Sequence, residues 1–113
     1  MKYFLIVILL AATALGVLAN RARGGEPTAA RSAAETYARS CASCHGKDGR
    51  AKTFKGKLKH SRDLTDPEWQ DKASDERIFN SISNGKGKMP AFGRKLSETE
   101  VNALVNYVRG LKK

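Results

Sequence analysis

Cys41-Ala42-Ser43-Cys44-His45 is the stretch on which the rest of the chain depends. On a helical turn, positions i, i+3 and i+4 share one face. Cys41, Cys44 and His45 then address one flat molecule together, with two sulfurs and one imidazole. The flanking sequence shows no strand pattern, which removes the βαβ setting of a redox dithiol. Structural zinc takes four ligands, commonly as two spaced pairs. Here the other histidine is His60, no second cysteine pair exists, and adjacent Cys44 and His45 fit one tetrahedron poorly.

C-x-x-C-H is instead the attachment pattern of a c-type haem. Cys41 and Cys44 are the expected thioether donors, and His45 the expected axial ligand to iron. The chain has 113 residues, enough for one domain. A core of that size is marginal unless something supplements it. One covalently bound haem c would supply a large apolar disc. Both cysteines lie in the motif, so no disulfide framework remains.

A second ligand is expected from Gly85-Lys86-Gly87-Lys88-Met89-Pro90. Methionine sulfur is a soft, weak donor that suits haem iron and raises its reduction potential. Pro90 disfavours helix at Met89 and holds an extended backbone there, which lowers the freedom lost when the loop closes. A lone methionine in a loop is ordinarily gap-filler; downstream of a haem motif and before proline, Met89 is the candidate sixth ligand. His60 is the alternative, and a lone histidine in a lysine-rich loop is more often solvated. With both axial positions filled, iron offers no open site, and the expected role is electron transfer rather than catalysis. A haem enzyme or gas sensor would need Met89 to leave.

The pattern around these motifs is helical. Thr28 to Ser40 is alanine-rich, lacks Gly and Pro, and has Thr28 or Ser32 as a cap. Tyr37 lies four residues before Cys41 and is expected in the core. Gly46, Gly49 and Gly56 are expected to interrupt regular structure up to Arg62, with Phe54 and Leu58 as inward anchors. Asp66-Pro67 starts a short helix to about Asp71, with Trp69 inward and an indole N–H bond to a haem propionate as its alternative. Ser74 starts another, striped by Ile78, Phe79 and Ile82 and stopped at Asn84-Gly85. Ser97 and Glu100 form a capping box, and Leu96 with Val101 a hydrophobic staple. Val101, Leu104, Val105, Val108 and Leu111 recur at helical spacing. That face is expected to pack across the first helix near Tyr37, with Arg109, Lys112 and Lys113 at the helix's negative end.

The formal net charge is +10. Such a balance favours acidic proteins, anionic lipid or nucleic acid. An aromatic-interleaved platform or reading motif for nucleic acid is absent. Lys47, Arg50, Lys52, Lys55, Lys57, Lys59 and Arg62 follow the haem motif against the single acid Asp48, and Lys86, Lys88, Arg94 and Lys95 flank Met89. A positive rim around the haem edge is therefore expected, steering encounter with acidic redox partners.

Met1 to Ala19 reads as an export signal: Lys2, an apolar run from Tyr3 to Leu18, and Val17-Leu18-Ala19 before cleavage. The alternative is an uncleaved membrane anchor, since the run is near the lower limit for a spanning helix. Residues 20–27 read as a flexible linker and 28–113 as the functional domain. Periplasmic location is the expectation.

Together these residues resemble the class I, monohaem cytochrome c family over roughly Thr28 to Leu111. The resemblance rests on Cys41-Ala42-Ser43-Cys44-His45-Gly46, Lys88-Met89-Pro90 and the final helix. It implies an all-α fold, with N- and C-terminal helices crossing and short middle helices around one covalently bound haem. It also implies thioethers at Cys41 and Cys44, proximal ligation by His45 and distal ligation by Met89. In many members a proline two residues before a leucine offers its carbonyl to the proximal imidazole; here that place, before Leu64, is Arg62. The implied partners are oxidases, reductases or dehydrogenases of a respiratory chain.

Overall fold

A computed structural model describes residues 31–113. The expected leader 1–19, the linker 20–27 and the alternative cap Thr28 lie outside the described residues. Among those described, the fold is all-α: α1 (Ala33–Ser40), α2 (Ala42–His45), α3 (Phe54–Lys59), α4 (Pro67–Lys72), α5 (Asp75–Asn84) and α6 (Glu98–Arg109). The one β-like feature there is an isolated bridge between Lys86 and Met89.

Local chemistry sets the helix ends. Ser32 Oγ accepts from Glu35 N (3.2 Å) and the Glu35 carboxylate accepts from Ser32 N (3.0 Å), closing a capping box on α1. Ser97 and Glu100 repeat the arrangement on α6 at 3.2 and 2.8 Å. Each cap satisfies donors the helix cannot pair itself and contributes about 1 kcal/mol. Asp66 caps α4 with Pro67 in its first turn, and Ser74 caps α5. Gly85 ends α5 at φ 75°, and a Cβ there would meet the Met89 carbonyl oxygen at 2.7 Å.

Helices α1 and α6 pack against each other, and α5 joins α6 on another side. Tyr37, Val101 and Leu104 are fully buried at the centre. The rings of Tyr37 and Tyr107 tilt at 38° with centroids 4.8 Å apart, a geometry worth about 0.5–1.5 kcal/mol beyond the area it buries. Val105, Val108, Ile78 and Ile82 complete the expected stripes, and Phe79, Trp69, Leu96 and Leu111 pack half-buried against them.

Two expectations are corrected. The segment after the haem motif holds a helix, α3, with Gly56 inside it rather than breaking it. Phe54 and Leu58 are not inward anchors; they are 80% and 59% exposed. The reason lies at Gly56, which is buried so closely that a Cβ would stand 2.2 Å from the Cys44 carbonyl oxygen. Helix α3 docks by bare backbone on that side. At about 100° per residue, Phe54 and Leu58 are left on the opposite side.

A polar clamp ties the last helix to the middle of the chain. Buried Gln70 uses both amide protons, donating from Nε2 to the carbonyls of Leu64 and Val108, each at 2.8 Å. Arg109 Nη1 donates to Gln70 O (2.6 Å) and Oε1 (2.9 Å), Nη2 to the Ala73 carbonyl, and Nε to Asp75 Oδ1 (2.7 Å). Arg109 therefore does more than complement the α6 dipole: its planar fork joins α4, α5 and α6.

Candidate haem site

Cys41 and the short α2 form the turn on which the motif was expected. The amide of His45 donates to the Cys41 carbonyl at 2.9 Å, which puts Cys41, Cys44 and His45 on one face. Gly46 leaves the turn at φ 80°. Its carbonyl accepts from the Tyr37 hydroxyl at 2.8 Å. Burial, with some help from Cys41, raises the Tyr37 pKa, so the phenol keeps the proton it donates.

The other side of the motif is held by α3. Thr53 Oγ1 lies 2.8 Å from the Ser43 carbonyl oxygen and 3.1 Å from that of Cys44, while accepting from Gly56 N at 2.9 Å. The sequence reading missed Thr53 and the role of Gly56. The available signal was a threonine cap directly before Phe54, obscured by the glycine after it.

Cys41, Cys44, His45, Met89 and Pro90 all line one cavity of about 520 Å³. Its apolar walls include Leu64, Ile78, Ile82, Leu104 and Val108, drawn from the core stripes. A space of this size, with these walls, suits a large and mostly apolar ligand.

The donor chemistry fits haem and disfavours the alternatives. His45 Nδ1 stands 2.9 Å from the Arg62 carbonyl oxygen. A carbonyl only accepts, so Nδ1 carries the proton. Burial lowers the pKa of His45, with the Arg62 contact opposing part of that shift. The neutral ring then keeps the Nε2 lone pair for a metal. Arg62 stands where the proline carbonyl was expected, and its carbonyl serves. Burial, followed by the neighbouring Cys44, pushes the Cys41 thiol up to about 11. A redox dithiol needs the opposite shift. No cluster of three or more His, Cys, Asp or Glu able to hold a metal exists among the described residues.

His60 and Trp69 line the same cavity. His60 caps α3 in the left-handed conformation at φ 53° and stands exposed at the cavity rim. Trp69 is half-buried, packing on the core while lining the cavity.

The family described as "Cytochrome C oxidase, cbb3-type, subunit III" matches residues 28–108. The chain belongs to this family of c-type cytochromes. Its fold is that of class I cytochrome c, and its cofactor is covalently bound haem c. The cytochrome is 40% identical over 88 residues to the Cbb3-type cytochrome c oxidase subunit FixP of Azorhizobium caulinodans. That match covers 77% of this chain but spans only 29% of FixP. Cytochrome c6 of Microcystis aeruginosa is 37% identical over 81 residues, covering 66% of this cytochrome and 88% of that protein. Among solved structures, the KustC0563 c-type cytochrome superposes with a TM-score of 0.68 at 42% identity, covering 74% of this cytochrome and 100% of that chain.

Proposed function

We propose that this cytochrome carries single electrons between redox proteins outside the cytoplasm, with Cys41 and Cys44 as thioether donors and His45 and Met89 as axial ligands. One observation carries the reading: all four side chains line the same apolar cavity, and His45 is already oriented by Arg62. Haem c supplies a one-electron iron couple. The chain's part is to fix ligands, exclude water and present an edge.

Two contacts hold the loop that carries Met89. Its amide and carbonyl pair with those of Lys86 at 3.0 and 3.1 Å. The Lys88 ammonium reaches the Leu58 carbonyl at 3.2 Å, linking the methionine loop to α3. A weak thioether donor needs such positioning, because its own affinity does little to order the loop. With His45 and Met89 both holding iron, no position would be left open for a substrate, and the chemistry supplied would be a carrier's.

Charge around the cavity points to the partner. Lys55, Lys59, Arg62, Arg77, Lys86 and Lys88 line it, and no carboxylate does. An acidic surface on a membrane oxidase, a reductase or a dehydrogenase is the complement. Residues 1–19 serve as an export signal in this reading, 20–27 as a linker and 28–113 as the haem domain, placing the protein in the periplasm. Stopped-flow oxidation of the reduced protein tests the rim. The rate with an anionic oxidant such as hexacyanoferrate falls as salt rises, whereas that with a cationic cobalt complex rises. Rates with both oxidants that ignore ionic strength would remove the rim.

A further inference from the structure

Helix α3 presents two apolar side chains that the electron-carrier reading does not use. Phe54 and Leu58 are its exposed apolar residues, at 80% and 59%. They stand four residues apart, hence on one stripe. Helical spacing places Lys57 about 60° to one side of Phe54, and Lys55 with Lys59 on the other side. Gly56 lies opposite, buried against the Cys44 carbonyl. The stripe is therefore apolar in the middle, cationic on both flanks and fixed to the haem-bearing turn from behind. No acid occurs from Gly49 to Arg62. Among the described residues, the ammonium groups of Lys52, Lys55, Lys57 and Lys59 form neither a hydrogen bond nor an ion pair within the chain.

The direction of the stripe selects its occupant. Lys55 and Lys59 line the haem cavity, whereas Phe54 and Leu58 do not. A redox partner centred on the cavity mouth would leave the apolar pair to one side. The pair also projects from a helix instead of lining a recess. Projecting apolar side chains between lysines match a fluid anionic interface, which accepts them without a complementary pocket. No helix among the described residues is long and apolar enough to cross a membrane, so their contact with lipid would be at its surface.

We propose that the outer face of α3 rests on a bilayer containing anionic phospholipid. Phe54 and Leu58 enter the headgroup layer, Lys57 meets phosphate on one flank, and Lys55 and Lys59 do so on the other. The haem mouth then opens beside the membrane surface, within reach of a membrane-bound partner. This placement does not depend on which residues ligate iron.

The test uses the haem-loaded protein with vesicles of equal parts phosphatidylglycerol and phosphatidylcholine, against pure phosphatidylcholine. Co-sedimentation is expected only with the anionic vesicles and is expected to weaken with salt. The double substitution Phe54→Ser/Leu58→Ser keeps the net charge, haem spectrum and reduction potential while weakening anionic-vesicle binding roughly tenfold or more. Nuclear magnetic resonance of the reduced protein supplies a second readout where another segment also holds the vesicle. Spin-labelled lipid is expected to broaden the Phe54 ring and Leu58 methyl signals first. Equal binding by the double variant, no preference for anionic vesicles, or broadening that spares α3 would each overturn the proposal. A double variant that keeps vesicle binding but loses rate with an acidic redox protein would give the face to a protein partner. Absence of a covalent-haem spectrum in the unsubstituted protein would instead count against the electron-carrier reading, so the two failures are distinguishable.

Discussion

The Nδ1 of His45 donates to the carbonyl oxygen of Arg62 across 2.9 Å. This contact fixes the imidazole tautomer and aims Nε2 away from the backbone, and it uses nothing of the Arg62 side chain. Arg62→Ala is therefore expected to leave the haem spectrum and reduction potential unchanged while lowering the low-salt encounter rate with an anionic oxidant. A shifted potential, read by redox titration, would show that the guanidinium acts on the iron site itself.

The carbonyl is steadied by its neighbours. Asp63 Oδ1 accepts from Thr65 N at 2.8 Å and from Thr65 Oγ1 at 2.7 Å. The Thr65 hydroxyl is the largest cause holding the Asp63 carboxyl below its ordinary range. A folded pKa below the unfolded one means stability present above the unfolded value, about 3.9, and lost as pH falls through the folded value. Denaturation midpoints of wild type and Asp63→Asn are expected to differ most near neutrality and to converge from about pH 5 downward. A gap that stays constant on acidification would contradict this account.

Gly56 and Gly87 make a controlled pair. At Gly56 a Cβ would stand 2.2 Å from the Cys44 carbonyl oxygen, while at Gly87 nothing lies within 4 Å. Gly56→Ala is expected to destabilise by about 1–3 kcal/mol through overpacking and to disturb the haem spectrum, because the displaced group belongs to the attachment turn. Gly87→Ala meets no clash and carries only the left-handed backbone cost of about 1–2 kcal/mol, since its φ is 57°. Chemical denaturation followed at the haem band reads both.

Arg109 is expected to be the most costly of the half-exposed cations to remove. Its fork serves the Gln70 and Ala73 carbonyls together with Asp75. Arg109→Ala is expected to lose about 2–3 kcal/mol, and Arg109→Lys to recover little, because a point ammonium cannot reproduce the fork. Thermal unfolding of the two variants decides it; full rescue by lysine would mean that charge alone matters.

What the sequence disclosed follows the range of the interactions. Ser97 with Glu100, Asp66 with Pro67, Ser74 and Gly85 act within one turn, and the structure shows each at its expected place. The stripe from Val101 to Val108 was readable because one periodicity covers the whole helix. Helix α3 was not, since Gly56 looks like a breaker locally and becomes a contact only against the Cys44 carbonyl. The outward turn of Phe54 and Leu58 follows from that contact and was hidden with it. Arg109 likewise satisfies groups more than thirty residues away. In the site, the gathering of Cys41, Cys44, His45 and Met89 on one cavity followed from two short motifs. Thr53, which anchors the motif from behind, was readable only as a helix cap, and Gly56 obscured the helix it caps.

Ligation of iron by Met89 is tested most directly by redox titration and the oxidised optical spectrum of Met89→Ala beside wild type. Wild type is expected to show the sulfur-to-iron band, and the variant to keep covalent haem, lose the band and have a lower reduction potential. An unchanged potential, or a wild-type spectrum without sulfur ligation, would contradict it.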